Sequence, residues 1–292
     1  MLSGKISTFA PNLMESVMKT LLTHRIFGGC GILMALLLAA CQSNTSKDDL
    51  TFYSVEAQEN LKEPPLDSAD TDDVFAQLHA QEERELDVKV DMEFVKSNNE
   101  QKTKVCKLIN DQLIELLLKQ SSDQPIEEAL TQYIETAKKE FHSDNIANIY
   151  YDHLKGSAEH GMKGVINYRL VEDTFMGGAH PCQLTTILRF NTQTGEFIPL
   201  DEVFSTIHQH ALQDTLLHKL MADNGVRTLQ GLQKKGFLEM SDMFVSNNFA
   251  LRDDSIEFYY NEYDIAPYAY GPTTICLSYD QVKDLVNEKY KQ

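Results

Sequence analysis

Tryptophan is absent from the 292 residues, and positive charge is scarce: 26 Lys and Arg stand against 44 Asp and Glu, a formal net charge of −18. Such an excess repels nucleic acid and anionic lipid headgroups and attracts cationic partners. No nucleic-acid partner is expected. Enzyme signatures are missing as well: no GxSxG, HExxH, P-loop or dinucleotide fingerprint occurs. Cysteine is sparse, five in all, and none forms a CxxC pair, which argues against redox or metal roles. The acidic pairs Asp253-Asp254 and Glu262/Asp264 are neighbours in sequence, which says nothing about the spacing a glycosidase needs. No catalytic residue, metal ligand or cofactor is assigned, and the chain is not read as an enzyme.

Long apolar runs are few. The most apolar, Ile26–Leu38, is too short and glycine-broken for a membrane span, and its layout is that of a secretory signal, with Lys19 and Arg25 supplying the positive region. It closes on Leu38-Ala39-Ala40-Cys41. These four residues resemble the bacterial lipobox, in which a peptidase cuts before the cysteine and its sulfur receives a diacylglyceryl group. Residues 1–40 therefore read as a signal peptide whose true start is Met18, and residues 41–51 as a lipidated Cys41 with a polar tether. Removing Met1–Cys41 takes away Lys5, Lys19, Arg25 and Glu15 and carries the net charge from −18 to −20. Acyl chains contribute roughly 0.8 kcal/mol per buried methylene, so two or three hold a protein firmly at a membrane. Lys47-Asp48-Asp49 resembles the acidic signal that sends some Bacteroidetes lipoproteins to the outer face of the outer membrane, although it stands farther from the cysteine. The expected location is the cell envelope, anchored by the Cys41 lipid in the outer membrane of a Gram-negative bacterium, facing either the periplasm or the exterior. Cys106, Cys182 and Cys276 remain, as one disulfide and a free thiol or as three thiols.

The body of the chain reads as α+β, a largely antiparallel sheet with helices packed on it, in two α/β subdomains that hold one core each or share one. The first spans 52–156 and includes an acidic loop over Glu59–Asp73; the second spans 157–292. Phe52–Ala57 and Leu86–Val95 alternate as strands, and Glu100–Lys119 and the segment after Pro125 carry helical stripes. Gly164–Val171, Leu184–Phe190, Phe244–Leu251, Ser255–Asn261 and Thr274–Leu277 read as strands. His208–Met221 and Leu229–Met240 read as helical. Ser278 and Gln281 have capping-box spacing for a helix through Tyr290.

Three groups of side chains invite a functional reading. His210, Asp214 and His218 recur at i, i+4 and i+8, a spacing that feeds a metal only when a further ligand stands nearby; a solvated helix face is expected. Phe175-Met176-Gly177-Gly178-Ala179-His180-Pro181 sets paired glycines between two strands, where Gly177 and Gly178 permit a sharp bend and Pro181 holds His180 extended. Tyr263-Asp264-Ile265-Ala266-Pro267-Tyr268-Ala269-Tyr270-Gly271 crowds three tyrosines into one loop, and rings of this kind offer contact area at little entropic cost. Tyr263 and Tyr268 lean towards core positions and Tyr270 towards a surface. The candidate binding residues are His180, Tyr263, Tyr268 and Tyr270, on a framework of Gly177, Gly178, Pro181, Pro267 and Gly271.

These stretches carry a resemblance. "GGAHP" before a strand, then "NTQTGEFIPLDEVF" and "YDIAPYAYG", resemble the extracytoplasmic C-terminal domain of RsiV-like anti-sigma factors, a domain of unknown function also found in PdaC-type peptidoglycan deacetylases. Leu86–Phe141 resembles the α/β domain that precedes it. In RsiV-like proteins this region is a lysozyme receptor. No sigma-binding or deacetylase part is recognised in this sequence, so the resemblance implies a binding module. A cationic protein such as lysozyme is the expected partner, or alternatively a glycan or peptidoglycan fragment stacked on Tyr268 and Tyr270; a hydrolase or deacetylase is the weaker alternative.

Lipidation is directly testable. Cells expressing the chain and fed a labelled fatty acid should label the wild type at the membrane, whereas Cys41→Ala should lose the label. Equal labelling of the two would overturn the lipobox reading.

Overall fold

Alternating apolar residues build one long sheet in the computed structural model, which describes residues 48–64, 83–143, 149–177, 179–239 and 241–292. The signal segment, Cys41, most of the acidic loop and Gly178 lie outside the described residues. β1 (Thr51–Glu63) pairs antiparallel along its whole length with β2 (Arg84–Lys96). β3 (Ile149–His160) pairs in parallel with β2, and β4 (Val165–Phe175) and β5 (Cys182–Asn191) follow antiparallel, in the order β1-β2-β3-β4-β5. The parallel β2–β3 pair needs a long crossover, which two helices supply. α1 (Thr103–Leu113) buries Val105, Cys106, Ile109 and Leu113, then widens into a π turn over Ile114–Leu118. α2 (Ile126–Ser143) starts with Glu127 and Glu128 in its first turn, where carboxylates favour the helix dipole.

A second sheet, β6 (Phe249–Leu251), β7 (Ser255–Tyr260) and β8 (Thr273–Ser278), is antiparallel throughout. Four helices accompany it: α3 (Leu200–Val203), α4 (Gln209–Asp223), α5 (Leu229–Gln233) and α6 (Tyr279–Val282). The fold is therefore α+β and mostly antiparallel. Among the described residues no helix is long and apolar enough to cross a membrane.

Two cores lie on opposite faces of the large sheet. Ile166, Tyr168 and Leu170 of β4 point into a cluster with α1, α2 and β1–β3, whereas Val165 belongs to a second cluster with α4 and β6–β8. Ser157, the position of the expected subdomain boundary, falls inside β3, a strand bonded on both sides. The separation therefore runs between faces of a shared wall.

Polar groups lock the layers together. Arg189 on β5 is 1% exposed. Its guanidinium donates to the carbonyls of Ile187, Ile198, Asn247 and Phe249 at 2.9–3.1 Å and lies 3.7 Å from the Phe249 ring centroid. Burial pulls its pKa down to about 9, still charged at neutral pH. Asn167 of β4 exchanges two hydrogen bonds of 3.0 Å with the backbone of Leu251. At the margin, Glu257 of β7 accepts from both Arg169 at 2.5 Å and Arg252 at 2.9 Å.

Several sequence expectations are corrected. The acidic loop begins later than Glu59, because β1 continues to Glu63, whose carboxylate accepts from the buried Arg84 at 3.1 Å. β3 escaped recognition because its inward positions include Asp152 and Gly156 among apolar residues. Only Phe249–Leu251 of the Phe244–Leu251 stretch is strand, since Ser246 and Asn248 instead turn their side chains to neighbouring backbone. The helix at Leu229 ends by Gln233, ahead of Gly236 at φ +84°. The Ser278/Gln281 capping box is present, yet its helix stops at Val282. Beyond it, Val286 bridges Phe204 and the Tyr290 hydroxyl donates to Glu202 at 2.6 Å, contacts a continued helix would forgo.

Arg189 gives a stability test. Arg189→Met keeps the bulk but removes the donors from several buried carbonyls, each costing about 1–3 kcal/mol when left unpaired. Urea unfolding should show a loss of about 3 kcal/mol or more, and a loss below about 1 kcal/mol would contradict the assigned role.

Candidate functional site

The two singled-out stretches, 83 residues apart, meet at one end of the large sheet. Met176–Pro181 joins β4 to β5, with Gly177 at φ +86° making the bend that its motif predicts. The loop 261–271 joins β7 to β8. Asn261 fastens it to β5, accepting from Thr185 N at 2.8 Å and donating to Thr185 O at 3.1 Å. Asn248 adds bonds to Ile187 N and Thr185 O at 2.7 and 2.5 Å. Side-chain amides thus take the backbone partners that a sixth strand would have used. Ile265 and Ala266 are buried beneath the loop, and Asp264 accepts from Asn261 N at 2.7 Å. Partial burial raises the Asp264 pKa, and that backbone donor works against the rise.

Three rings gather above this anchor. His180 stacks on Tyr268 with centroids 4.0 Å apart and planes 21° from parallel. Tyr263 lies 5.9 Å from Tyr268, and its hydroxyl is 3.2 Å from His180 Nε2. His180 Nδ1 stands 2.8 Å from the Pro181 carbonyl, which only accepts. Nδ1 therefore carries the proton in the neutral ring, and Nε2 accepts from Tyr263. Pro267 starts, and Gly271 at φ +67° ends, the single 3-10 turn that presents Tyr268.

Exposure reverses part of the expectation. Tyr263 is 63% exposed rather than a core residue, and Tyr268 is half-buried. Tyr263 also has φ +68°, an unusual conformation for a bulky side chain that is held here by its N–H donating to Ala266 O at 3.1 Å. Tyr270 is 54% exposed, as expected, but packs edge-on against Phe237, beside Gly236 rather than on the His180 stack.

Sequence reading missed neighbours on β3 and β4. Tyr151 lies 6.1 Å from Phe175 and 5.1 Å from His153. Its hydroxyl points to Asp173 at 3.4 Å. Slight desolvation, the Asp173 carboxylate and the nearby Tyr268 hydroxyl all raise its pKa. Burial works to raise the Asp87 pKa, but hydrogen bonds from Lys89 and His153 prevail and hold it below the ordinary range. The strand alternation of residues 149–155 was the available signal.

Elsewhere the candidates stay apart. His210, Asp214 and His218 are exposed along α4, and among the described residues no group of three or more His, Cys, Asp or Glu stands close enough to hold a metal. Cys106 is buried, Cys182 and Cys276 are exposed, and all three are thiols.

The whole is a sheet-on-sheet α+β module with an aromatic cluster where a hairpin meets a loop. Residues 201–280 match a family described as a protein of unknown function, DUF3298. Over 121 residues, 41% of the chain, it is 25% identical to the peptidoglycan-N-acetylmuramic acid deacetylase PdaC of Bacillus subtilis (strain 168), and the match spans 26% of that enzyme's length. A crystal structure of a DUF3298 family member from Bacteroides fragilis NCTC 9343 superposes with a TM-score of 0.64 at 24% identity, covering 82% of this chain and 94% of that one. Another, from Pseudomonas aeruginosa PAO1, gives 0.58 at 14% identity, covering 83% and 98%. The chain thus carries a segment that matches DUF3298, in a fold similar to that of two DUF3298 proteins, and at these identities the structural likeness speaks to fold alone. The matched segment contains the tyrosine loop but not His180.

The conformation of Tyr263 yields a ranked test. Glycine tolerates positive φ and a β-branched residue does not. Thermal unfolding should place Tyr263→Gly within about 1 kcal/mol of the wild type, because relief of strain offsets a ring contact of about 0.5–1.5 kcal/mol. Tyr263→Val should be clearly less stable than Tyr263→Gly. The reverse order would show that the turn is not strained.

Proposed function

We propose that this chain is a lipid-anchored binding protein of the cell envelope, held at the membrane through Cys41, which captures or senses a cationic protein such as lysozyme. It works by recognition, without catalysis. The observation that carries the reading is the convergence of His180, Tyr268 and Tyr263 into an exposed aromatic cluster on a rigid mount. Exposed aromatic side chains with few internal degrees of freedom make efficient anchors in protein interfaces. The charge of the chain supports a basic partner, since a strongly acidic surface accelerates encounter with one. The resemblance to RsiV-like receptors supports lysozyme in particular.

Biolayer interferometry of residues 42–292 against lysozyme, at low salt and again at 0.3 M, tests this. Saturable binding should persist at 0.3 M, and Tyr263→Ala should weaken it about tenfold or more, as loss of a central aromatic anchor does. Binding that disappears at 0.3 M would reveal unspecific charge attraction, because salt screens exposed charges beyond about 10 Å at 0.1 M and less above it.

A further inference from the structure

The structure carries one arrangement twice and two of its three parts a third time. Arg169 lies 5.0 Å from the Tyr259 ring centroid and bonds Glu257 at 2.5 Å. Arg84 lies 4.2 Å from the Phe141 ring centroid and bonds Glu63 at 3.1 Å. In both, a guanidinium rests on a ring while a carboxylate accepts from one of its nitrogens, a pairing suited to its flat, delocalised charge. The third case lacks the arginine. Tyr151 on β3 and Asp173 on β4 place a ring and a carboxylate together at the sheet surface, and among the described residues no guanidinium occupies them.

This pair stands on the face of the large sheet opposite α1 and α2. The inward residues of β1–β3, Val88, Val90 and Leu154 among them, belong to the helical core, so Asp87, Asp91 and Tyr151 face away from it. Those outward residues are half-buried or exposed. Phe175 continues the strip from Tyr151 to the β4–β5 hairpin that bears His180. Tyr268, stacked on His180, stands near enough to Tyr151 to contribute to the rise of the Tyr151 pKa.

We infer that the His180–Tyr268–Tyr263 cluster is one end of a longer recognition strip running through Phe175 to Tyr151 and Asp173, and that the Tyr151–Asp173 pair receives an arginine side chain of a basic protein. This rests on the reading of the cluster as a protein-recognition surface. Charge complementarity favours an arginine over a sugar ring, as does the ring–carboxylate pairing that the chain itself uses for Arg169 and Arg84. Among the described residues the Asp173 carboxylate receives only a long bond, from Tyr151, and keeps its capacity for a bidentate donor. Arginine binding here neutralises one charge and covers one ring, without any change of backbone.

The test uses the full chain in detergent, with lysozyme as the probe at 0.1 M and 0.3 M salt, and the variants Asp173→Asn and Tyr151→Ala. Both positions are partly exposed, so unchanged urea midpoints are expected and establish that the variants fold. Asp173→Asn should weaken binding about tenfold and flatten its salt dependence, as loss of a charged partner in an interface does. Tyr151→Ala should weaken binding roughly threefold to tenfold, in line with loss of a cation–π contact. If both variants bind as the wild type while Tyr263→Ala does not, the extended strip is overturned and the proposed function stands. If the wild type binds no lysozyme, both fall. Retention of a chitin oligosaccharide that competes with lysozyme, is lost in Tyr151→Ala and is indifferent to Asp173→Asn would assign the strip to glycans and overturn the arginine site.

Discussion

A single buried cation sets the geometry from which the rest follows. Arg189 reaches from β5 into the space between the two sheets, where water cannot solvate it. The carbonyls around it belong to β5 itself, to the returning chain at Ile198, and to the entry of β6 at Asn247 and Phe249. A buried guanidinium without partners would cost several kcal/mol, so the arrangement is stable only while all these segments hold their places. The rings of Phe249 and Phe197, 3.7 and 5.0 Å from the guanidinium carbon, complete the cage. Two layers that could otherwise slide on apolar side chains are thereby fixed in one register.

That register decides where the aromatic cluster falls. β5 is the last strand of its sheet, and an exposed strand edge is a template for unwanted pairing. Here Asn248 and Asn261 cover it with side-chain amides while the backbone of their own segment goes elsewhere. The consequence is positional. Asn261 immediately precedes the tyrosine loop, and Thr185 lies four residues after Pro181, so the bond that protects the edge also draws Tyr263 and Tyr268 onto His180. Cluster and edge protection are consequences of one contact.

How much of this was legible from sequence depended on the range of the interaction. Patterns within one element were readable: the stripe of Ile109 and Leu113, the Ser278/Gln281 capping box, the bend at Gly177 and the α+β class. Extents were less so, because long-range partners set them. β1 runs on to Glu63 through acidic sequence because Arg84 waits opposite, and the C-terminal helix ends early because Tyr290 finds Glu202. β3 was hidden by Asp152, a buried acid whose pKa is raised by burial and which accepts from Tyr133 at 2.6 Å. The site residues His180, Tyr263 and Tyr268 were legible as types within motifs. Their meeting was not, since it depends on Asn261 and Thr185, which carry no local signal. The exposure of Tyr263 was misjudged for a similar reason: a core tyrosine with a paired hydroxyl was expected, yet Ile265 and Ala266 are the residues buried under the loop, and Tyr263, at positive φ, stays exposed.

On the proposed reading, charge and rings divide the work of recognition. An acidic surface acts at a distance, raising encounter with any basic molecule, and it is screened within about 10 Å at 0.1 M salt. It cannot tell one basic protein from another. Discrimination has to come from groups whose positions are fixed before the partner arrives, because ordering a flexible side chain costs about 0.5–1.5 kcal/mol each. The His180–Tyr268 stack, the paired hydroxyl of Tyr263 and the turn held by Ala266 provide that prior ordering. Tyr263 keeps its ring beside Tyr268 and its hydroxyl against His180, and its exposed face is the part of the cluster that the proposed reading assigns to a partner.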